Sequence, residues 1–385
     1  MGSLRDITPE ELLGREPVKI ADEKIYNFVN NKTVLITGAA GFIGANLCVN
    51  LLRNENPKLI VGLDNLNDYY DPSLKDYRLR DIERAAASSP CGWAFIKGNI
   101  ADKRLISELF DKYDFDIVVN LAAQAGVRYS ITNPDAYIES NVLGFYNILE
   151  ACRHSRDGGK SGVEHLVYAS SSSVYGANEK IPYSTDDKTD SPVSLYAATK
   201  KSNELFAHAY AKLYNLPCTG LRFFTVYGEA GRPDMAYFGF TNKLVGGEKI
   251  RIFNYGNCKR DFTYVGDVVE GVTRVMKRAP EKKTGADGLP VPPCKVYNIG
   301  NNHPENLLEF VKILQEELVR AGVLPKDYDF DAHKELVPMQ AGDVPVTYAD
   351  VTPLEKDFGF RPSTSLRDGL RKFANWYKEY YDKGE

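Results

Sequence analysis

The sequence predicts an α/β chain built on a doubly wound parallel sheet, and three observations carry that expectation. Short apolar runs alternate with helical patterns from Lys32 to about Tyr227. A turn rich in glycine follows the first of these runs, and the second run ends on an aspartate. Buried strands joined by crossover helices, a tight strand-to-helix turn and an acidic strand end together mark a sheet that opens a ligand cleft at its carboxyl edge.

Residues 1–31 are polar, with a brief helical pattern at Pro9-Glu10-Glu11-Leu12-Leu13, and are expected to form an extension ahead of the main domain. Strands are expected at Thr33–Thr37, Leu59–Leu63, Ile117–Leu121, His165–Ala169 and Thr219–Phe223. None of these runs alternates strictly between apolar and polar, which suits strands covered on both faces, and the periodic segments between them suit crossover helices. Beyond Tyr227 the elements shorten, and the Pro/Gly-rich stretch from Pro280 to Pro293 reads as a surface loop. The expected division is an extension at 1–31, a nucleotide-binding domain at 32–228, and a smaller, discontinuous C-terminal substrate domain at 229–385. Segments near 262–276 and 295–300 are expected to return to the first domain.

At 385 residues, 43% hydrophobic and 26% charged, the chain is long enough to bury more than one core. No apolar run approaches the roughly eighteen residues that a membrane span needs. The opening Ser3-Leu4-Arg5-Asp6 is not a basic-then-apolar leader, so a cytoplasmic protein is expected. Six scattered cysteines form no Cys-x-x-Cys pair, which argues against a zinc site and a disulfide framework; no metal is expected. A net charge of −4 supplies no basic field for nucleic acid, so an anionic ligand must be held locally.

Gly38-Ala39-Ala40-Gly41-Phe42-Ile43-Gly44 joins the first strand to the helix carrying Leu47 and Leu51. Glycines there permit a tight turn, and backbone N–H groups at the positive helix end can approach a pyrophosphate. The spacing is Gly-x-x-Gly-x-x-Gly. Asp64 follows Gly44 by twenty residues, at the end of the second strand, where a carboxylate can accept hydrogen bonds from adenosine ribose hydroxyls. The same charge repels a 2′-phosphate, so the expected cofactor is NAD and the sheet is of Rossmann type. An aspartate that merely caps a turn is the competing reading.

Tyr196 and Lys200 stand at i and i+4 in a predicted helix, on one face. An ammonium close to a phenol favours the phenolate, so this spacing predicts a lowered tyrosine pKa and a usable base. Upstream, a buried strand runs into Ser170-Ser171-Ser172-Ser173-Val174-Tyr175-Gly176, which brings hydroxyls to the carboxyl edge of the sheet. A hydroxyl there can donate to a substrate oxygen and relay a proton to the phenolate.

The glycine turn, the serine run, Tyr196 with Lys200, and Asn120-Leu121-Ala122-Ala123 together resemble the extended short-chain dehydrogenases/reductases that act on nucleotide sugars, over the chain from about Thr33 onward. More narrowly, Leu63-Asp64-Asn65-Leu66-Asn67-Asp68-Tyr69-Tyr70, Gln124-Ala125-Gly126-Val127-Arg128-Tyr129-Ser130, Gly231-Arg232-Pro233-Asp234-Met235-Ala236 and Arg260-Asp261-Phe262-Thr263-Tyr264-Val265 resemble UDP-glucuronate 4-epimerases. The resemblance implies a catalytic trio of Ser171, Tyr196 and Lys200. It implies NAD contacts at Gly38, Gly41, Phe42, Ile43, Gly44, Asp64, Asn65, Asn99, Ile100, Leu121, Ala122, Ala123, Gln124, Tyr196, Lys200 and Phe223. For a UDP-sugar it implies Arg128, Ser171, Ser172, Ser173, Tyr196, Thr225, Arg232, Arg260 toward the diphosphate, and Asp343 toward the uridine ribose. It further implies a homodimer.

Two departures from the family pattern stand out: Asn99 where relatives often carry Asp, and Gly266 in Tyr264-Val265-Gly266-Asp267 where they commonly carry Asp-Asp. Dehydratases of the family resemble Asp-Glu-Val-Tyr-Gly before the helix turn, and decarboxylases Ser-Glu-Val-Tyr-Gly; here Ser172-Ser173 stands in that place. Hydroxyls in place of a carboxylate suit a substrate that brings its own negative charge. The expected reaction is therefore 4-epimerisation of a UDP-sugar, UDP-glucuronate foremost, through a 4-keto intermediate. A 4-epimerase of neutral UDP-sugars, a UDP-glucuronate decarboxylase and a non-catalytic NAD-binding protein are the competing readings.

Overall fold

Seven strands pair in parallel to form the central sheet of the computed structural model, which describes residues 28–382 apart from 160, 286 and 340–345. In chain order the strands used below are β1 (Thr33–Thr37), β2 (Leu59–Asp64), β3 (Gly92–Lys97), β4 (Ile117–Asn120), β5 (His165–Ser171), β6 (Cys218–Phe223), β7 (Thr225–Tyr227), β8 (Ile250–Ile252), β9 (Lys259–Tyr264) and β10 (Cys294–Ile299). The main helices are α1 (Phe42–Asn54), α2 (Ser73–Ala87), α3 (Lys103–Lys112), α4 (Phe145–His154), α5 (Leu195–Tyr214), α6 (Ala236–Val245), α7 (Val265–Met276), α8 (Leu307–Arg320) and α9 (Leu366–Asp382). Across the sheet the order is β10-β6-β5-β4-β1-β2-β3. The chain winds outward in one direction from β1 and then in the other from β4, so the switch point lies between β1 and β4, and ligand clefts of such sheets open there.

The apolar runs form these strands because each must satisfy two cores at once. Val34 and Ile36 of β1, Ile117 and Val119 of β4 and Val167 of β5 join one buried cluster with α1 and α7. Leu35, Val118, Leu166 and Tyr168 point the other way, into a cluster with α3, α4 and α5. One strand, β3, has no counterpart among the expected runs, while β10 falls in the stretch near 295–300 expected to return to the first domain. β3 lies at the sheet edge and none of its residues is buried, so its sequence lacks a continuous apolar signature. β10 pairs along its whole length with β6, Cys294 opposite Cys218 through Ile299 opposite Phe223, and is supplied from far along the chain.

A third core is aromatic and belongs mainly to the later residues: Tyr227, Tyr237, Phe238, Phe262, Phe310, Phe373 and Trp376 pack together, with Leu74 of α2 reaching into it. Phe262 and Phe310 stack with ring centroids 4.1 Å apart. β9 is the hub of this half, pairing with β7, with Pro304–Asn306 and with Val346–Thr347. The stretch from Pro280 to Pro293 is largely exposed and folds back on itself where Lys283–Thr284 pairs with Pro290–Val291. Gly266 lies within α7, where a Cβ would come 2.5 Å from the Tyr264 ring. The helical pattern expected at Pro9–Leu13 falls outside the described residues.

Candidate active site

The glycine turn is built by backbone contact. Gly38 has φ +71°, and a Cβ on it would lie 2.8 Å from the Ala122 nitrogen, so the turn presses directly on the exit of β4. A Cβ on Gly44 would lie 2.1 Å from the Gly38 carbonyl oxygen, and one on Gly41 2.9 Å from the same atom. Helix α1 therefore starts against the turn itself. Its N-cap, Gly41, provides no side-chain hydrogen bond, which leaves the helix's first amides available to an external anion. Phe42 is buried in the core and Ile43 packs partly against it.

Asp64 sits at the end of β2, 7% exposed, and the turn-capping reading of it holds geometrically. Its Oδ2 accepts from the Ala40 amide at 3.1 Å and its Oδ1 from the Leu66 amide at 2.8 Å, so it caps the turn. It also faces the buried Lys75 ammonium at 3.9 Å. Asn65 caps the next turn by accepting from the Asn67 amide. On the far side of the cleft Leu121 and Ala122 donate to Thr37, and the Gln124 main chain is held in both directions by Asn141; Ala123 lies between them. Ile100 turns its side chain into the core, while Asn99 donates to Glu139 at 2.8 Å and caps Ala101. Phe223, opposite Ser171 in register, is 8% exposed and part of the core.

Ser171 ends β5 and its Oγ accepts from the Ser173 amide at 3.1 Å, which starts a helical turn over Ser172–Tyr175. Among the described residues the Ser173 Oγ is buried without a hydrogen-bond partner. An orphaned hydroxyl of this kind costs folding energy unless a ligand satisfies it. Ser194 caps α5 by accepting from the Ala197 amide, which fixes Tyr196 and Lys200 in the first turns of that helix. Lys200 is 3% exposed and its Nζ donates to the Ala169 carbonyl at 3.0 Å.

The pKa expectation for this pair is corrected by the structure. Burial pushes the Tyr196 phenol up; the Ser171 hydroxyl and the Arg232 guanidinium pull it back, Asp234 opposes them, and Lys200 is not among the groups that lower it. Burial instead draws Lys200 itself down to about 8. The unfolded chain keeps that proton up to about 10.5, so between these values unfolding takes up protons and the stability at this site rises with pH. Below pH 8 the full penalty of a buried ammonium is present. In protein stripped of dinucleotide, Lys200→Met should raise the Tm near pH 7, by an amount worth on the order of 3 kcal/mol, and the advantage should shrink toward pH 10. A pH-independent difference in calorimetry would contradict this origin.

Around Tyr196 the expected sugar contact Arg232 is joined by Asp234, Tyr69, Tyr129 and Tyr137, for which no role was expected. Arg232 grips Asp234 with two hydrogen bonds, 3.0 and 2.5 Å, and the Tyr69 phenol donates to Asp234 at 3.1 Å. Burial, and after it the neighbouring Asp234 carboxylate, push Tyr69 up to about 12. The Tyr137 ring lies 5.9 Å from that of Tyr196 and its hydroxyl donates to the Gly126 carbonyl. Tyr129 bridges Tyr69 and Tyr137, at 4.7 and 6.3 Å between ring centroids. Arg232 is thus an ion-paired residue of the cleft wall. The only available signal for Asp234 and Tyr69 was their place inside the quoted motifs.

The remaining residues lie toward the C-terminal half. Arg128 is exposed and stands 6.0 Å over the Phe253 ring, so the loop after β4 meets the turn after β8. Thr225 opens β7 opposite Phe262 of β9, and Arg260 lies on β9 between Glu305 and Thr347. Asp343 is outside the described residues. Among the described residues no group of His, Cys, Asp and Glu side chains could hold a metal ion, and no helix is long and apolar enough to cross a membrane.

Strand order alone admits many nucleotide-binding proteins. A serine at the end of β5, beside a tyrosine one helical turn from a buried lysine, narrows the class to NAD-dependent enzymes of the short-chain dehydrogenase/reductase type. The chain belongs to the NAD dependent epimerase/dehydratase family, which matches residues 34–300. Protein CapI of Staphylococcus aureus is 49% identical over 356 residues, covering 91% of this chain and 99% of the relative. UDP-glucuronate 4-epimerase 4 of Arabidopsis thaliana is 45% identical over 358 residues, 91% of this chain and 76% of the relative. The crystal structure of a UDP-glucuronic acid 4-epimerase from Bacillus cereus, in complex with UDP-glucuronic acid and NAD, superposes with a TM-score of 0.74 at 29% identity, covering 91% of this chain and 100% of that one.

Proposed function

We propose that the chain epimerises UDP-glucuronate at C4 to give UDP-galacturonate, with Ser171, Tyr196 and Lys200 as the catalytic set. The observation that carries this reading is the placement of Ser171 at the end of β5 against α5, a helix whose Lys200 donates to the Ala169 carbonyl of that strand and which carries Tyr196 one turn earlier. Bound NAD supplies the acceptor and donor of the C4 hydride, so the reaction involves no net redox change. Tyr196 takes the C4 hydroxyl proton, with Ser171 as hydrogen-bond relay, and returns it after the keto sugar has turned over. Lys200 holds a cation close to the reacting groups, and its lowered pKa lets it share in proton traffic.

The 4-keto form of glucuronate is a β-keto acid and loses CO2 when its carboxylate bond aligns with the carbonyl π system. Ser172 and Ser173 can donate to that carboxylate and hold it out of alignment, and the unpartnered Ser173 hydroxyl supports this role. Thr225 and Arg232 belong to the same end of the sugar, while Arg128, Arg260 and Asp343 are assigned to UDP. The C-terminal half, 229–385, is the UDP-sugar side of the cleft and 32–228 the NAD side. A homodimer is proposed on exposed apolar side chains of two neighbouring helical stretches, Leu143 and Tyr146 on one and Leu205 and Leu213 on the other. A cytoplasmic setting is supported by six free thiols.

A second reading has one observation in its favour: Arg232 is already paired with Asp234, and a neutral sugar would leave that pair undisturbed. Purified protein incubated with UDP-glucuronate should produce UDP-galacturonate with no loss of CO2. Formation of UDP-pentose and CO2 alone would overturn the epimerase reading, and turnover of UDP-glucose without UDP-glucuronate would favour the neutral-sugar enzyme.

A further inference from the structure

Arg78 is among the largest fully buried side chains of the described residues, 1% exposed, and it projects from α2 between the two halves of the site. Its Nε donates to the Ala230 carbonyl at 2.8 Å and its Nη2 to the Gly231 carbonyl at 2.8 Å. Its Nη1 donates to the Ala40 carbonyl inside the glycine turn at 3.1 Å and to the Tyr70 hydroxyl at 2.6 Å. All four acceptors are neutral, and among the described residues no carboxylate lies within ion-pair distance. A buried guanidinium without a counter-charge is a costly way to join loops, and an apolar residue would serve packing better.

The segment it grips is itself constrained. Ala230 has φ +50°, a conformation that L residues rarely adopt, and Gly231 has no room for a Cβ, which would lie 1.6 Å from the Tyr237 hydroxyl. Both carbonyls of this turn face the same planar fork, a match for guanidinium and not for ammonium. Arg232 is the next residue. We propose that Arg78 is a positioning residue for the sugar end of the site: it locks the Ala230–Gly231 turn to the glycine turn of the cofactor side and so sets the direction in which Arg232 enters the cleft. The inference rests on the reading that Arg232 meets the sugar.

The test is a double-mutant cycle on the NAD-loaded enzyme with Arg78→Lys and Arg232→Met, reading KM and kcat for UDP-glucuronate together with the fraction of NAD retained after desalting. Arg78→Lys is expected to raise KM about tenfold with a smaller change in kcat, and to add little to Arg232→Met. Tyr70→Phe, which deletes one of the four contacts, should move KM in the same direction by less. A KM effect of Arg78→Lys that multiplies in full with that of Arg232→Met overturns the proposal alone, as does a lowered Tm with unchanged kinetics. An unchanged KM in Arg232→Met overturns the reading of Arg232 and the proposal with it. Should the wild-type enzyme accept only UDP-glucose, the substrate reading fails separately, and the same cycle read with UDP-glucose supports or overturns the role of Arg78.

Discussion

Tyr196→Phe is expected to lower kcat by about 10³-fold while the dinucleotide stays bound, since a positioned proton acceptor contributes typically 10²–10⁴-fold. The substitution removes one oxygen from a partly buried ring and leaves α5 intact, because Ser194 caps that helix independently and Lys200 keeps its bond to the Ala169 carbonyl. KM should change little, so the loss would be confined to steps in which the sugar proton moves. The surroundings of the phenol set a second expectation. Burial raises its pKa, while Arg232 lowers it and Asp234 raises it, so activity of the wild-type enzyme should rise with pH as phenolate forms. Single-turnover kinetics with cofactor-content measurement decides the matter: full activity in the phenylalanine variant would remove Tyr196 from the role of base.

Gly44→Val should abolish dinucleotide binding and destabilise the fold by several kcal/mol, on the order of other severe overpacking changes. A Cβ at this position would lie 2.1 Å from the Gly38 carbonyl oxygen and 3.2 Å from the Ala39 Cα, both backbone atoms that cannot move without opening the turn. Opening it would push α1 away from β1, whose Val34 and Ile36 share a core with Leu47 and Leu51 of that helix. Denaturant unfolding, followed in parallel with NAD titration, separates the two effects. A variant as stable as the wild type that still binds NAD would show that the helix does not need its close approach to the turn.

Local features were legible in the chain because local chemistry produces them. The five apolar runs became strands since each residue of a central strand faces a core on one side or the other. The glycine spacing announced its turn because no other residue fits between Gly38, Gly44 and the exit of β4. The Tyr196/Lys200 spacing set both side chains near the start of one helix, whose cap, Ser194, only the structure identifies. The edge strand β3 was harder to read, as half-exposed residues carry no continuous pattern.

The electrostatics could not be read in the same way. Spacing made Lys200 a neighbour of Tyr196, but only the fold decides how much water each group loses, and burial proved the leading influence on both. Arg232 was expected to meet the sugar, with an ion pair as the competing reading, and its fork is occupied by Asp234 two residues on, with Tyr69 arriving from the far half of the chain. Arg78 left no mark in the sequence, since its value lies in carbonyls 152 and 153 residues away.

The residues alone therefore determined five of the seven strands of the central sheet, the glycine turn and the serine–tyrosine–lysine spacing, all governed by periodicity and short spacings. The tertiary structure decided which charges are paired, which hydroxyl is left unpartnered and how the two halves are tied, because desolvation and long-range hydrogen bonds exist only once distant segments have been brought together.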